Sequence, residues 1–172
     1  MTDKPRSEQP SAPRRGSYDV RPVGVARSEI RELGDDCWAG SVALIELDVE
    51  QFTAESTRGL EEFSHVEVIF LFHRVQPDKV FYGARHPRER LDWPKAGIFA
   101  QRAKDRPNRI GVTVCKLERV EGTRIWVREL DTVDGTPVLD IKPYMPEFGP
   151  REAVRQPEWS KELMSGYFRP RT

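Results

Sequence analysis

The sequence predicts a mainly β protein, a small closed or nearly closed β-barrel with one or two short helices. Three observations lead to this class. Short runs of β-branched and aromatic residues recur along the chain, and tight-turn residues separate several of them. The stretches between the runs lack the long helical periodicity that the crossover helices of a parallel sheet require. A chain of 172 residues can bury one core and is too short for two ordinary domains.

Composition narrows the functional classes. The 28 basic and 28 acidic residues give a formal net charge of zero, so a polyanion would have to be bound by a local basic patch. No apolar run approaches the roughly 20 residues of a membrane-spanning helix, and the N-terminus shows no signal-peptide pattern. We therefore expect a cytoplasmic protein without membrane association, in which Cys37 and Cys115 are free thiols.

The first part of the chain changes from polar to β-forming composition. Residues 1–18 are rich in Pro, Ser and Arg without apolar periodicity, which predicts a disordered arm. Residues 20–27 (VRPVGVAR) and 40–48 (GSVALIELD) alternate with the period of two that is typical of half-buried strands. The second run places Val42, Leu44 and Glu46 on one face and Ala43, Ile45 and Leu47 on the other, so we expect one edge or face of this strand to be exposed to solvent.

The most apolar run follows a short helical signal. Leu60 and Phe63 lie three residues apart, which favours a short helix. Gly59 limits the length of this helix. Residues 66–75 (VEVIFLFHRV) predict a central, nearly buried strand. Residues 76–95 show neither period and are long for a loop in a compact domain, so we expect a functional or mobile segment there.

The second half repeats the β signal. A two-residue hairpin link is expected at Glu121 and Gly122, and a tight turn at residues 134–137 (DGTP). A weak helical pattern covers residues 158–164. These signals place a barrel domain at residues 19–148 and a C-terminal extension at 149–172. The further strands are predicted at residues 97–101, 111–120, 123–130 and 138–141.

Four segments carry a resemblance to a known family. They are VGVARS at residues 23–28, RGLEEFSHVEVIFLFHR at 58–74, GIFAQRAKDRPNRIG at 97–111 and DTVDGTPVLDIKPYMP at 131–146. They occur in the expected order, and the DGTPVLDIKPY string is the most specific of them. On these motifs the chain resembles the TsaA/TrmO family of S-adenosylmethionine-dependent methyltransferases.

The resemblance implies a homodimeric β-barrel that binds S-adenosyl-L-methionine without a Rossmann fold, and no GxGxxG motif in the sequence argues otherwise. It further implies methylation of the N6 position of threonylcarbamoyl-adenosine beside the tRNA anticodon. Two departures from the family bear on this expectation. Trp38, Ala39 and Gly40 stand where many relatives have Gln-Pro-Gly, and only residues 147–172 follow the motif beyond which bacterial tRNA enzymes have a further domain.

The resemblance also assigns cofactor-binding residues. Arg102 can pair with the carboxylate of the cofactor or form a surface ion pair. His73 and Arg74 can hydrogen-bond the cofactor or cap the strand that they end. Trp38 can stack on the adenine or pack in the core, and the Asp-Gly pair forms a turn whatever its function. The full set is Trp38, Ala39, Gly40, His73, Arg74, Arg102, Val112, Val133, Asp134, Gly135 and Thr136.

The candidate substrate-side residues follow from the chemistry of methyl transfer. The reaction is an in-line displacement at a sulfonium, which needs an aligned nucleophile and removal of one proton from the attacking nitrogen. Asp140, Lys142 and Tyr144 are the catalytic candidates. Arg106 and Asn108 can bind an anionic part of the substrate, the alternative being turn chemistry alone. The spacing of Cys and His predicts no metal site.

Three functions remain open at this point. The motifs and a set of basic residues favour methylation of an adenosine in tRNA, because such residues can follow phosphates. Zero net charge and the short C-terminal segment favour a small-molecule acceptor for the same fold. The third is a non-catalytic, dimeric S-adenosylmethionine-binding module. The basic residues are Arg85, Arg88, Arg90, Arg102, Lys104, Arg106 and Arg109.

Overall fold

The computed structural model describes Gly16 and residues 18–170, so the predicted disordered arm lies almost entirely outside the described residues. The described chain forms eight β-strands and one α-helix. The strands are β1 (Gly24–Ser28), β2 (Val42–Leu47), β3 (His65–Leu71), β4 (Ala84–Arg85), β5 (Ala96–Gly97), β6 (Ile110–Glu121), β7 (Arg124–Arg128) and β8 (Thr136–Pro143), and the helix is α1 (Glu158–Met164). Short 3-10 helices cover Ala54–Thr57, Leu60–Glu62, Pro77–Lys79, Pro87–Glu89, Ile98–Ala100, Pro107–Arg109 and Pro146–Phe148.

Six of the strands form a closed barrel in the order β1-β2-β7-β6-β3-β8, and β4 and β5 form a separate two-stranded sheet. Every neighbouring pair in the barrel is antiparallel. Closure pairs both edges of every barrel strand, which satisfies backbone groups that an open sheet would leave free. The predicted closed barrel is therefore confirmed.

Alternation along the strands fills the barrel. On β2, Ala43 and Ile45 are buried while Val42 is exposed, as the period-two pattern predicts. Cys115 and Cys37 are free thiols, and burial raises the pKa of the Cys115 thiol, so this cysteine behaves as an apolar core residue. The core consists of Ala26, Ala43, Ile45, Val66, Val68, Phe70, Cys115, Leu117, Ile125, Val127, Leu130 and Val138.

The strand predicted at residues 97–101 is wrong for most of its length. The chain leaves β5 after Gly97 and turns through the 3-10 helix Ile98–Ala100. The side chain of Gln101 explains the turn, because its Nε2 donates to the backbone oxygens of Ala96 (2.6 Å) and Arg85 (3.3 Å). A local side-chain bond of this kind competes with extended pairing.

Other boundaries differ by smaller amounts. The first strand begins at Gly24 rather than at residue 20, and the central strand ends at Leu71. The helix expected around Leu60 is reduced to two 3-10 turns that Gly59 separates with a φ of 82°. Residues 76–95 contain two 3-10 turns and β4 and are not structureless. The hairpin link lies one residue later than expected, because Glu121 still pairs with Arg124.

The C-terminal segment returns to the barrel domain. The predicted helix is present as α1, and the chain after it packs beside the loop that precedes β2. The backbone nitrogen of Trp38 donates to the oxygen of Tyr167 (2.9 Å), and Ala39 forms an isolated bridge with Pro170. No helix among the described residues is long and apolar enough to cross a membrane.

Replacement of Gly24 by Ala tests the packing of the barrel. A Cβ at this position would lie 2.4 Å from the backbone oxygen of Glu46 on the paired strand, so β1 and β2 would have to separate locally. We expect Gly24→Ala to lower the free energy of unfolding by about 1–3 kcal/mol, measured by urea denaturation. The matched control is Gly97→Ala, where a Cβ meets nothing within 4 Å. Equal stability of both variants would contradict the explanation.

Candidate functional site

A large cleft lies beside the barrel, between its outer wall and the loops that surround it. Its volume is about 1540 Å³, more than the roughly 300–1,000 Å³ of a usual small-molecule site. The outward side chains of β6, Ile110, Val112 and Val114, contribute an apolar stripe to the lining. Trp159 and Tyr167 of the C-terminal segment line it as well. A cleft of this size can hold a cofactor and part of a second molecule.

Three arginines in the cleft contact only backbone carbonyls. Arg74 Nη1 donates to the oxygen of Arg31 (2.5 Å), Arg106 Nη1 donates to the oxygen of Gln101 (3.0 Å), and Arg102 Nη2 donates to the oxygen of Val112. None of the three forms an ion pair with a carboxylate in the described part of the chain. A guanidinium has five N–H donors, so these side chains retain donors for a carboxylate or phosphate.

Two other arginines of the cleft are neutralised by carboxylates. Arg85 makes a bidentate ion pair with Asp105, at 2.6 and 2.5 Å, and this pair joins β4 to the loop before β6. Arg88 makes a second bidentate pair, with Asp36, at 2.6 and 2.7 Å. Bidentate pairs of this kind fix geometry. We therefore interpret them as supports of the cleft wall.

Two buried polar atoms in the cleft lack a partner. Within residues 18–170 they are the indole Nε1 of Trp38 and the hydroxyl of Thr132. Both residues line the cleft, and each is 4% exposed. A buried polar atom without a hydrogen bond costs about 1–3 kcal/mol. Such atoms can bond to a ligand or to water once the side chains that cover them move.

Asp131 lies where the barrel meets the C-terminal segment. Its Oδ1 accepts a hydrogen bond from the hydroxyl of Thr113 on β6, and its Oδ2 accepts one from the hydroxyl of Tyr167. Burial raises the pKa of Tyr167, and the negative charge of Asp131 raises it further. The phenol therefore remains a hydrogen-bond donor at neutral pH.

His73 follows β3 at the edge of the cleft. Burial lowers the pKa of its imidazole from the ordinary value of 6.5, and the positive charge of Arg74 lowers it further. The ring is consequently neutral at pH 7. A neutral imidazole can both donate and accept a hydrogen bond, which suits contact with an uncharged part of a ligand.

The structure brings most of the predicted cofactor-binding residues to one cleft. The residues that line it are Trp38, His73, Arg74, Arg102, Val112, Val133 and Thr136, together with the substrate candidate Arg106. Ala39, Gly40 and Asp134 line a smaller neighbouring depression. Gly135 and Asn108 line neither, and both have a positive φ, of 80° and 62°, so turn geometry is the role that the structure shows for them.

The turn at Asp134 has a structural function. Its Oδ1 accepts from the backbone nitrogen of Ser28 (3.2 Å), and its own nitrogen donates to the oxygen of Ile30 (2.7 Å). The next residue, Gly135, donates to the oxygen of Ala26 (2.9 Å). These bonds attach the loop before β8 to β1. They hold Val133 and Thr136 in the lining of the cleft.

The three catalytic candidates lie outside the cleft. Asp140 and Lys142 form an ion pair on the outer face of β8, with side chains 47% and 59% exposed. The hydrogen bond to Asp140 raises the pKa of Lys142, so this amine is protonated at neutral pH and is a poor proton acceptor. Tyr144 follows β8 and does not line the cleft. Within one chain these residues are therefore separate from the cofactor candidates, and their catalytic role stays a prediction.

Sequence reasoning did not select three cleft residues as site residues. Asp131 and Thr132 begin the most specific motif, so their position was a usable signal. The sequence around Tyr167 gave no such signal, because this residue follows a weak helical pattern near the end of the described chain. In the described residues no cluster of three His, Cys, Asp or Glu side chains could hold a metal ion.

The fold and the cleft together define a class of protein, a small non-Rossmann β-barrel with a cleft that is lined by apolar side chains and by arginines without carboxylate partners. Residues 36–149 match the family model described as tRNA-methyltransferase O N-terminal domain. The chain belongs to this family. The family membership expected from the motifs is thus confirmed.

Relatives and solved structures agree with this assignment. A Pseudomonas aeruginosa protein named "Putative S-adenosylmethionine-dependent methyltransferase RcsF" is 40% identical over 135 residues, which are 76% of this chain and 56% of the relative. The human tRNA (adenine(37)-N6)-methyltransferase is 41% identical over 117 residues, 68% of this chain and 26% of the relative. A crystal structure of TrmO from P. aeruginosa superposes with a TM-score of 0.69 at 32% identity, covering 86% of this chain and 64% of that one. The chain thus spans little more than half of the first relative and a quarter of the second.

Proposed function

We propose that the chain binds S-adenosyl-L-methionine in the cleft and methylates N6 of threonylcarbamoyl-adenosine beside the anticodon of tRNA. One observation carries the proposal. The cleft combines three arginines that lack carboxylate partners with two buried polar atoms that lack hydrogen bonds. Relatives named tRNA (adenine(37)-N6)-methyltransferase support the reaction. We place the activity in the cytoplasm, and the free thiols agree with a reducing compartment.

The residues of the cleft fit this cofactor. Arg102 and Arg74 can bind its carboxylate through their unused N–H donors. The hydroxyl of Thr132 and the indole N–H of Trp38 can bond to its adenosine, and the neutral His73 can bond there too. The cofactor, when bound, supplies a methyl group on a positively charged sulfur. We further propose contacts from Ala39, Gly40 and Asp134, which line the smaller depression, and from Gly135, which follows Asp134 in the chain.

Features around the cleft support a nucleic acid as the acceptor. Tyr82, before β4, is 76% exposed, and Phe99, after β5, is 80% exposed. Exposed aromatic rings can stack on unpaired bases. Arg106 and Arg109 contact backbone oxygens rather than carboxylates, so their charges can meet phosphates. Asn108 lies between these two arginines and can join them in the same contact.

We also propose a homodimer that completes the site. The stripe on β6 consists of Ile110 (42% exposed), Val112 (37%) and Val114 (44%). It lies across β3 from Asp140, because Ile69 of β3 pairs with both Val112 and Asp140. Because the stripe also lines the cleft, a twofold interface on this face would cover it and make the second copy a further wall of the cleft. It would also bring the β8 candidates of one copy, including Lys142 and Tyr144, towards the cleft of the other.

The first test is calorimetric titration with S-adenosyl-L-methionine. We expect the wild type to bind and Arg102→Ala to weaken binding by about tenfold or more, because a hydrogen bond to a charged group contributes about 1.5–3 kcal/mol. Arg58→Ala is the control, since Arg58 pairs with Glu55 and does not line the cleft. No binding by the wild type, or equal weakening in both variants, would contradict the proposal.

The second test concerns the methyl acceptor. Label from the methyl group of S-adenosyl-L-methionine is expected to enter total tRNA that carries the threonylcarbamoyl modification, and not tRNA that lacks it. Binding of the modified tRNA should weaken steeply with salt, because each phosphate contact releases counterions. Cofactor binding without label in tRNA would favour the small-molecule acceptor. Failure to label any acceptor would favour the non-catalytic module.

The third test concerns the dimer. Sedimentation equilibrium should show two copies of the wild type, and Val114→Lys should shift the protein to a monomer, since a charge would have to be buried in the interface. The control is Val49→Lys, because Val49 is 72% exposed and lies away from the stripe. A monomeric wild type, or an unchanged dimer in Val114→Lys, would refute the proposed interface.

A further inference from the structure

Asp131 differs from the other acidic residues of the cleft. Asp35 pairs with Lys104 (3.0 Å) and Asp105 pairs with Arg85, so the negative charge of each is balanced. Glu89 is exposed to solvent. Asp131 is half-buried and forms no ion pair among the described residues; the hydroxyls that it accepts from are neutral. A half-buried carboxylate without a cation is expected to attract one.

Two hydroxyl groups fix the orientation of this carboxylate. Thr113 bonds to one oxygen and Tyr167 bonds to the other. Thr113 is 9% exposed and its backbone lies in the ladder between β6 and β3, so it provides a rigid anchor. An ionised carboxyl group has about four acceptor sites. Both oxygens therefore keep the capacity to face a further positive group.

The guanidinium of Arg102 also has no carboxylate partner among the described residues. It binds the backbone oxygen of Val112, the residue that precedes Thr113 on β6. The guanidinium of Arg102 and the carboxylate of Asp131 therefore bond to adjacent residues of β6, Val112 and Thr113. Neither of the two charged groups has an ion-pair partner among the described residues. This arrangement is complementary to a ligand that carries a carboxylate and a cation a few atoms apart.

We propose that Asp131, positioned by Tyr167 and Thr113, faces the sulfonium of S-adenosyl-L-methionine and lets the cleft distinguish this cofactor from its product S-adenosylhomocysteine, in which the sulfur is a neutral thioether. The inference rests on the proposed function. Asp131 contacts the ligand, whereas Tyr167 and Thr113 are positioning residues that act through it. Loss of the positive charge during methyl transfer weakens this attraction, which favours release of S-adenosylhomocysteine.

Tyr167 lies outside residues 36–149, the part that matches the family model. The segment that carries it is attached to the barrel domain at several points. Glu162 Oε2 accepts from the indole N–H of Trp93 (2.8 Å), and the ring of Trp93 lies 6.3 Å from that of Trp159. The C-terminal segment thus contributes to ligand recognition through one phenolic hydroxyl, in addition to forming a wall.

The test compares two ligands that differ in charge at sulfur. The affinities of wild type, Asp131→Asn and Tyr167→Phe for S-adenosyl-L-methionine and for S-adenosylhomocysteine are measured by calorimetry. We expect Asp131→Asn to reduce the preference for the charged ligand about tenfold, with affinity for the neutral one nearly unchanged. Tyr167→Phe should reduce the preference by a smaller factor in the same direction, because the carboxylate remains but loses one support.

The control is Asp78→Asn, a change of the same type at an exposed side chain away from the cleft; it should leave both affinities unchanged. Thermal unfolding establishes whether each variant is folded. If Asp131→Asn does not fold, the comparison of Tyr167→Phe with the wild type still tests the inference. Equal loss of affinity for both ligands would place Asp131 at the ammonium group that both carry, or assign it a structural role, and either result would overturn this inference alone. Failure of the wild type to bind either ligand would overturn the proposed function together with it.

Discussion

The pairing of β1 with β8 closes the barrel, and the site depends on that closure. Gly24 pairs with Val138 and Ala26 pairs with Thr136, so the loop that precedes β8 must return to the start of β1. Backbone bonds at residues 134 and 135 fix this return. The same loop carries Asp131 and Thr132 into the cleft. The covalent connection between turn and cleft explains why one motif contains both turn-forming and cleft-lining residues.

Strand β6 serves the core and the cleft at once. Its inward side chains, such as Cys115 and Leu117, belong to the barrel interior, whereas Val112 and Val114 point outward and line the cleft. Successive side chains of a strand alternate between faces. The cleft-lining part of β6 is held by pairing with β3, and pairing with β7 begins at Lys116, just beyond it. The remaining walls come from loops and the C-terminal segment, whose positions rest on fewer bonds.

The sequence was informative where local pattern decides structure. Alternation in residues 40–48 predicted a strand with two unlike faces, and the hairpin glycine placed the β6–β7 turn within one residue. It failed at residues 97–101, where the side chain of Gln101 binds backbone oxygens and replaces strand pairing. It also could not reveal the bond between Tyr167 and Asp131, which joins residues 36 positions apart. Contacts of this kind depend on tertiary packing and leave no periodic trace.

The charge of the cleft arises from selective pairing rather than from composition. The chain as a whole is neutral, and on that basis it offers no attraction to an anion. Asp36 and Asp105 neutralise Arg88 and Arg85 in bidentate pairs, which fixes the walls and removes those charges from ligand binding. The guanidiniums that remain available are those whose partners are backbone oxygens, since such oxygens carry only partial charges. A protein without net charge can therefore present a positively charged cleft, provided that its acidic residues form ion pairs with the arginines that support the walls.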